Sequence, residues 1–282
     1  MMKPIRATFA VLALTITSIV VAQPQQAPAA SPGGVPAPSS ARRQGAPQPP
    51  AGPAPVNAAG RVILGGGAAG DKDIWTPVFG ITEPITPYAQ IPFQPWSKAL
   101  FDYRQKKELE PHTRCKASGA ARQFLTPYGV EFMEMTELQR MYIFDIGGPH
   151  TFRTIYMDGR AHPTDWQPTN YGHSVGHWEG NTLVVDTVGY NEEFWMDRRG
   201  MPHTSQLHTI ERFTRKDENT VDYRVTIDDP GAYTKTFDGG FSLRWDKGQE
   251  LFEYVCQQAN LAAELMVGDG GKKVDRTSAI SP

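Results

Sequence analysis

Cysteine is scarce in this chain of 282 residues, in which Cys115 and Cys256 are the only two. The chain also lacks a paired CxxC and an HExxH, which are the compact motifs of structural and catalytic zinc. In an oxidising compartment, two thiols near opposite ends of one domain are more often paired than free. We therefore predict a Cys115–Cys256 disulfide, with two buried structural thiols as the alternative.

An excess of positive charge is also missing. From residue 61 onward the chain carries 24 Lys and Arg against 30 Asp and Glu, which gives a net charge of −6. Proteins that bind nucleic acids or anionic membranes need a basic surface. The charge balance therefore argues against nucleic acid as a partner.

Long apolar runs are absent except at the start of the chain. Lys3 and Arg6 precede an uncharged run over residues 7–21, and Val20-Val21-Ala22 fits a signal-peptidase site. A helix that spans a bilayer needs about 20 apolar residues, and this run is shorter and is interrupted by hydroxyl side chains. We predict that residues 1–22 are a removed secretory signal. The mature protein is then expected to be periplasmic or secreted, with no membrane anchor.

Residues 23–60 contain no aromatic and no acidic residue, but they include ten prolines. Such a segment cannot bury enough apolar surface to offset the entropy lost on ordering. We predict a disordered, extended linker over residues 23–60, either a tether that carries the folded part through a cell-wall mesh or a dispensable spacer. The remaining residues, 61–282, are predicted to form a single domain.

β-Branched and aromatic residues dominate several segments of this domain, and some of them alternate with polar residues in the manner of strands. These segments are residues 142–146, 151–157, 182–188, 207–213 and 221–227. Turn signals separate them: GGP at 147–149, DGR at 158–160, EGN at 179–181, KDEN at 216–219, DDPG at 228–231 and DGG at 238–240. About eight strands joined by tight turns predict a mainly β fold, an antiparallel up-and-down β-barrel or sandwich.

One or two short helices are expected to flank the strands. The first is predicted from Pro95 to Glu108, where Trp96, Leu100 and Tyr103 fall on one face. We expect it to pack across the end of the barrel. A second short helix is predicted around residues 261–266.

Histidine is concentrated in the middle of the chain. All seven histidines lie between His112 and His208, and five of them fall within residues 162–208. Histidine exchanges protons and binds metals near neutral pH without a perturbed pKa. The cluster therefore predicts a polar site on the β framework.

A hairpin at the centre of this cluster brings two histidines and a carboxylate together. If residues 173–178 and 182–188 pair through a two-residue turn, His173 and His177 share a face with Asp186. A three-residue turn would remove the carboxylate from that face. The same face could also be the solvated side of an ordinary sheet, because periodicity locates the faces without showing which one is inside.

A long polar loop follows the hairpin and resembles the loops that cap binding sites. Asp197 and His203 are expected to meet across it, and His208 begins the next strand. Arg160 and His162 lie in an earlier turn, MDGRAHPTDW. Metal binding would need one of the hairpin histidines together with His203 or His208, or both of them with a β-bulge at Gly172 or Gly176. No cofactor is predicted, and zinc or copper binding is the alternative.

Several motifs in fixed order, among them PHTRC, MDGRAHP, YGHSVGHWEGNTLVVDT, PHTSQLHTIERF and TIDDPGAYT, resemble a family of exported bacterial proteins. The resemblance covers residues 110–260, and it implies export and a shared polar site without implying a reaction. The WEGNTLVVDT hairpin is also similar, locally, to strands of lipocalin-type barrels, which implies a lipocalin-like architecture.

These patterns lead to a functional hypothesis. The chain is expected to be an enzyme that uses histidine and carboxylate groups in a barrel cavity to move protons on a small, partly apolar molecule, as a lyase, hydratase, isomerase or hydrolase. The alternatives are a ligand carrier, a metal-binding protein and a structural envelope protein. The candidate catalytic residues are His173, His177, Asp186, Asp197, His203, His208 and Arg160. The candidate ligand-binding residues are His162, Tyr171, Trp178 and Trp195.

Overall fold

A computed structural model describes residues 51–65, 73–78, 84–147, 151–254 and 256. Within these ranges nine strands close into a barrel in which each strand pairs with the next and the last pairs with the first. The strands are β1 (Asp73–Pro77), β2 (Val130–Met135), β3 (Arg140–Asp145), β4 (Phe152–Tyr156), β5 (His173–Glu179), β6 (Thr182–Val188), β7 (His208–Arg215), β8 (Thr220–Asp228) and β9 (Phe237–Lys247). The predicted mainly β barrel is confirmed.

One helix, α1 (Pro95–Lys107), accompanies the barrel, as the sequence predicted. Four short 3-10 helices also lie in the described part of the chain, at Tyr88–Gln90, Pro111–Arg114, Ala120–Phe124 and Thr136–Leu138. The buried side chains of α1 are Ser97 and Phe101, while Trp96 and Tyr103 are exposed. The predicted packing face of this helix is therefore wrong. The inward face carries Ser97 instead, whose hydroxyl donates to the carbonyl of Ala232 (2.5 Å).

Two sequence predictions about segment boundaries also change. The DGG at residues 238–240 is not a turn but part of β9, where a side chain on Gly240 would come within 2.3 Å of the Tyr223 carbonyl oxygen. The folded part also begins before residue 61, since the carbonyl of Gly52 accepts the backbone N–H of Glu218 (2.9 Å). The predicted signal peptide, residues 23–50 of the linker and the second helix at 261–266 lie outside the described residues.

The pairing of β4 with β5 is parallel, whereas all the other neighbouring strands are antiparallel. A tight turn can join only antiparallel strands, and a parallel pair needs a longer connection. Residues 157–172 form this connection. They bring His162 and Trp166 onto the outer surface of β5, a placement that a uniform antiparallel meander did not predict.

The β5–β6 hairpin turns at Gly180-Asn181, since Glu179 pairs with Thr182. Gly180 has a φ of +57°, a conformation that favours glycine. The two-residue turn confirms the predicted register, in which the odd positions of β5 share a face with the even positions of β6. Ser174 and Thr187, on the opposite face, are buried inside the barrel, so the face that carries His173 and Asp186 points outward.

Aromatic side chains fill much of the barrel interior. The ring of Phe124, from a 3-10 helix at one end of the barrel, lies 4.9 Å from Tyr223, 5.6 Å from Phe213 and 6.4 Å from Phe132. All four side chains are at most 2 % exposed. Burial of large apolar side chains is the main favourable contribution to folding, so this cluster forms the centre of the core.

Candidate functional site

Three neighbouring strands bring polar side chains together on the outer surface of the barrel. His173 is the first residue of β5, Asp186 lies in β6, and His208 is the first residue of β7. Asp186 pairs with Ile210, so His208 lies diagonally across from it on the same face. Diagonal neighbours on a sheet are close enough for long side chains to touch, and the register therefore sets this grouping.

His162, from the connection between β4 and β5, completes the group. Its Nε2 lies 3.2 Å from Asp186 Oδ1, and its Nδ1 lies 2.8 Å from Nδ1 of His173. His208 Nε2 lies 2.8 Å from the same oxygen of Asp186. We call these four residues, His162, His173, Asp186 and His208, the outer histidine cluster.

The hydrogen bonds assign the ring protons of this cluster. The Asp186 carboxylate can only accept, so both His162 and His208 donate from Nε2. A neutral His162 ring then carries its lone pair on Nδ1 and accepts from the Nδ1–H of His173. This arrangement leaves the lone pair of His173 on Nε2. The cluster is therefore a continuous chain from a carboxylate through one imidazole to a second imidazole that can act as a base.

Aromatic rings enclose His173. Its ring stacks on Tyr156 at 5.0 Å and meets Trp166 edge-on at 5.0 Å. His173 is only 3 % exposed, whereas His162 and His208 are partly exposed. Burial lowers the pKa of His173, and the neighbouring His162 and Arg160 act in the same direction. His173 is therefore a neutral base at neutral pH.

The position of Trp166 depends on a glycine. Gly189 has a φ of +73°, and a Cβ there would lie 2.8 Å from the Trp166 ring. Arg160 lies at the edge of the same enclosure, with its guanidinium 3.9 Å from the centre of the Tyr156 ring. Arg160 also pairs with Asp158 (2.5 Å). Tyr156 and Trp166 were not among the predicted site residues, because their role depends on how residues 157–172 fold back over β5.

His177 does not belong to the outer histidine cluster. It lies four residues beyond His173 on the same strand, which places it about 13 Å away along the strand. Its side chain is largely exposed and pairs with Glu179 (3.1 Å). The hairpin therefore carries one buried and one solvated histidine on the same face.

Asp197 and His203 are buried in the loop between β6 and β7, and most of their hydrogen-bond partners belong to the same loop. Asp197 accepts the backbone N–H groups of Arg199 (3.0 Å) and Met201 (2.9 Å) and the hydroxyl of Tyr88 (2.6 Å). His203 Nε2 donates to the carbonyl of Phe194 (3.0 Å). Burial raises the pKa of Asp197 and lowers that of His203. The hydrogen bonds of both groups hold the loop in place.

Three of the four predicted ligand-binding residues have partners away from the outer histidine cluster. Trp178 alternates with His177 and packs against the core, with the guanidinium of Arg61 4.2 Å from its ring. Trp195 is buried beneath Arg104, at 5.0 Å. Of the four predicted ligand-binding residues, only His162 belongs to the outer histidine cluster.

The third of these residues, Tyr171, belongs to a buried group around Asp145. Its hydroxyl lies 2.6 Å from Thr151 Oγ1 and donates to Asp145 Oδ2 at 3.4 Å. Asp145 also accepts the backbone N–H of Gly147 (3.0 Å). Burial raises the pKa of Asp145 to about 7.

The barrel interior contains an ion pair that the sequence patterns did not predict. Arg153 of β4 contacts Glu211 of β7, and both side chains are at most 1 % exposed. Arg153 also donates to Ser174 (3.0 Å) and Thr187 (2.7 Å), while the hydroxyl of Tyr223 donates to Glu211 (2.9 Å). Burial alone would lower the pKa of Arg153, but the Glu211 carboxylate, together with Tyr190 and Tyr223, outweighs it and raises the pKa. The sequence contained one signal of this pair: Arg153 lies two residues before Ile155 and therefore on the same, inward face of the strand.

The described residues contain no group of three His, Cys, Asp or Glu side chains placed to hold a metal ion. Nor does that part of the chain include a helix long and apolar enough to cross a bilayer. Zinc or copper binding stays an alternative, and export stays a prediction, both from the sequence.

Comparisons with family models, with curated proteins and with solved structures found no match to this chain. The resemblance to exported bacterial proteins stays a prediction.

Proposed function

We propose that the chain is an enzyme that moves protons on a small, partly apolar molecule, with the outer histidine cluster as its acid/base group. One observation supports this most directly: a hydrogen-bonded chain runs from Asp186 through His162 to the buried ring of His173. A carboxylate that orients a histidine and stabilises its protonated form is a recurring arrangement in general acid/base catalysis.

In this proposal His173 removes a proton from the substrate with its Nε2 lone pair. The resulting positive charge is stabilised when the Nδ1 proton shifts toward His162 and the Nε2 proton of His162 bonds more strongly to Asp186. Asp186 and His162 are positioning residues, because they act through His173. His208 holds the same carboxylate oxygen from the other side. The partly exposed ring of Trp166 supplies the apolar part of the binding surface.

The location of the proposed site differs from the sequence hypothesis. That hypothesis expected a cavity inside the barrel, but the outer histidine cluster lies on the outer surface, beneath residues 157–172. The interior next to β5 and β6 contains core side chains and the Arg153–Glu211 pair. We therefore propose that the substrate approaches from outside, with Trp166 and Tyr156 excluding water from His173. The reaction classes stay as proposed from the sequence: lyase, hydratase, isomerase or hydrolase.

A ligand carrier is the second candidate, and the aromatic enclosure of His173 favours it. Trp166 is 38 % exposed, so a planar ligand could stack on its ring without reacting. In a carrier, His173 would be a hydrogen-bonding group of the lining. Turnover distinguishes this candidate from the enzyme.

The first prediction concerns protonation and needs no substrate. In ¹⁵N NMR titrations of the mature chain, residues 23–282, His173 is expected to protonate below pH 6.5, the usual value for histidine, because burial disfavours its charged form. Asp186→Asn is expected to lower the pKa of His173 further, since it removes the negative charge at the end of the hydrogen-bonded chain. A titration of His173 at or above pH 6.5 would contradict the assigned geometry.

The second prediction concerns turnover on a panel of small apolar compounds chosen to report hydrolysis, hydration, elimination and isomerisation. His173→Ala is expected to reduce kcat by about 10²–10⁴-fold, the usual contribution of a positioned general base, while the ligand Kd changes far less. Asp186→Asn is expected to lower kcat with little change in KM. Arg224→Gln, on the exposed face of β8, serves as the matched control and is expected to leave both constants unchanged.

Two results would overturn the proposed enzyme. If the chain binds compounds of the panel without converting them, and His173→Ala weakens that binding only modestly, the protein is a carrier. Near-stoichiometric zinc or copper in the purified mature chain, removed by chelation and by His173→Ala, would identify the metal-binding alternative. The metal content is measured by elemental analysis of protein purified without a histidine tag.

A further inference from the structure

The outer surface of β2, β3 and β4 presents a contiguous set of apolar side chains. The rings of Tyr142, Phe144 and Phe152 form a triangle with centroids 6.0–6.1 Å apart. Phe152 is 56 % exposed, and the neighbouring Met133 is 39 % exposed. We call these four residues, Met133, Tyr142, Phe144 and Phe152, the aromatic patch.

The sheet register explains why these side chains meet. Phe144 pairs directly with Phe152, and Tyr142 pairs directly with Met133. Residues that face each other across neighbouring strands lie close together on the same side of the sheet. A contiguous apolar surface of this kind is characteristic of an interaction site, whereas single exposed apolar residues are ordinary.

The C-terminal part of the chain approaches the same end of the barrel. Cys256 is bonded to Cys115, and the rings of Phe252 and Tyr254 lie 5.8 and 5.1 Å from Tyr128. Tyr128 stands two residues before the start of β2, and the first residue of β2, Val130, pairs with Asp145. Asp145 directly follows Phe144, so the rings that precede Cys256 pack beside the chain segment that leads into the strands of the aromatic patch.

Residues 257–282 follow Cys256 and lie outside the described residues. This C-terminal segment therefore starts from a residue that the disulfide fixes to Cys115.

The sequence of this C-terminal segment contains an apolar run, Leu-Ala-Ala-Glu-Leu-Met-Val, at residues 261–267. Leu261 follows Cys256 by five residues, and five extended residues reach up to about 18 Å. The aromatic patch extends over two residues along β3, or about 7 Å. The apolar run is thus long enough to cover the patch, and only four residues separate it from its covalent anchor.

We propose that residues 261–267 dock on the aromatic patch of the same molecule. The Cys115–Cys256 disulfide holds this segment beside the patch, and a tether of a few residues raises the effective concentration of a binding partner into the millimolar range. A weak apolar contact is then sufficient to cover the patch. The disulfide in this way acts beyond the barrel, because it positions the segment that follows it.

Site-specific photo-cross-linking of the full mature chain tests the proposal. Phe152 is replaced by p-benzoylphenylalanine, a residue of similar character that cross-links to whatever contacts it on irradiation. After reduction and digestion, mass spectrometry is expected to find the cross-link in the peptide that contains residues 261–267, in protein that migrates as a monomer. The control places the same reagent at Leu138, which is also exposed but lies at the other end of β2, and is expected to give no cross-link to that peptide.

A second variant separates the contact from general proximity. Leu265→Asp puts a charge into the apolar run without altering the barrel, and it is expected to lower the yield of the Phe152 cross-link at least tenfold. Cross-links between two chains would instead show that the patch binds a second copy. That result, or a cross-link yield unchanged by Leu265→Asp, would overturn the proposal.

Discussion

Removal of the Cys115–Cys256 disulfide is expected to lower the free energy of unfolding by about 4–5 kcal/mol, because the bond closes a long loop in the unfolded chain. The two residues are 141 apart in sequence, so the bond restricts more than half of the folded part. In the barrel, their Cα atoms lie 5.6 Å apart. Urea unfolding with and without reductant measures the difference.

Two controls make this result specific to the bond. The double variant Cys115→Ser/Cys256→Ser is expected to match the reduced wild type, and reductant is expected to have no further effect on it. Tyr254 and Phe252 pack against Tyr128 in the same region, so part of the segment keeps its packing after the bond is removed. A decrease below about 1 kcal/mol, the size of an ordinary aromatic pair interaction, would show that these rings, and not the covalent bond, hold the chain end.

The barrel could be predicted from sequence because strand formation depends on short-range patterns. In β8, β-branched and aromatic residues alternate with polar ones from Val221 to Ile227, and the structure buries the first set and exposes much of the second. The register of the β5–β6 hairpin was equally accessible, since two turn residues, Gly180 and Asn181, fix which positions oppose each other. The same reasoning placed His173 and Asp186 on one face.

Which face lies inside could not be decided from that pattern. Each strand of the hairpin carries apolar and polar residues on both sides, and Arg153 and Glu211 are charged residues that point inward. The choice depends on what the rest of the barrel buries, including the ring of Phe124 inserted from a distant 3-10 helix. Contacts of this range leave no periodic signal.

Long connections were the other source of error. His162 and Trp166 reach His173 because residues 157–172 fold back over β5, and neither spacing nor composition specifies such a path. For the same reason Asp197 and His203 were grouped with the site, although they bond to backbone groups of their own loop and, in the case of Asp197, also to the hydroxyl of Tyr88. Sequence reasoning therefore named all four residues of the outer histidine cluster, but it placed only His173 and Asp186 together. The contacts of His162 and His208 with Asp186 could not be predicted.

The buried Arg153–Glu211 pair gives the other large expected effect. Glu211→Gln keeps the shape of the side chain but leaves the Arg153 guanidinium without its counter-charge inside the barrel. Breaking one partner of a buried ion pair typically costs about 3–5 kcal/mol, because an uncompensated charge remains in a low-dielectric interior. We expect a decrease of that size in the free energy of unfolding, measured by urea denaturation.

The matched control lies one residue away on the same strand. Arg212 faces outward from β7 and pairs with Glu179 at 2.7 Å, and both side chains are nearly half exposed. Arg212→Gln is expected to change stability by less than about 1 kcal/mol, because water and salt screen exposed pairs.

Neutralising both buried partners separates the charge from the packing. The double variant Arg153→Met/Glu211→Gln removes the buried charge entirely, so it is expected to be more stable than Glu211→Gln alone. Ser174 and Thr187 lose a donor in this variant, but the two hydroxyls already form a hydrogen bond of 2.9 Å with each other. If the double variant were as unstable as the single one, the hydrogen bonds of Arg153, and not its charge, would account for the stability that the pair provides.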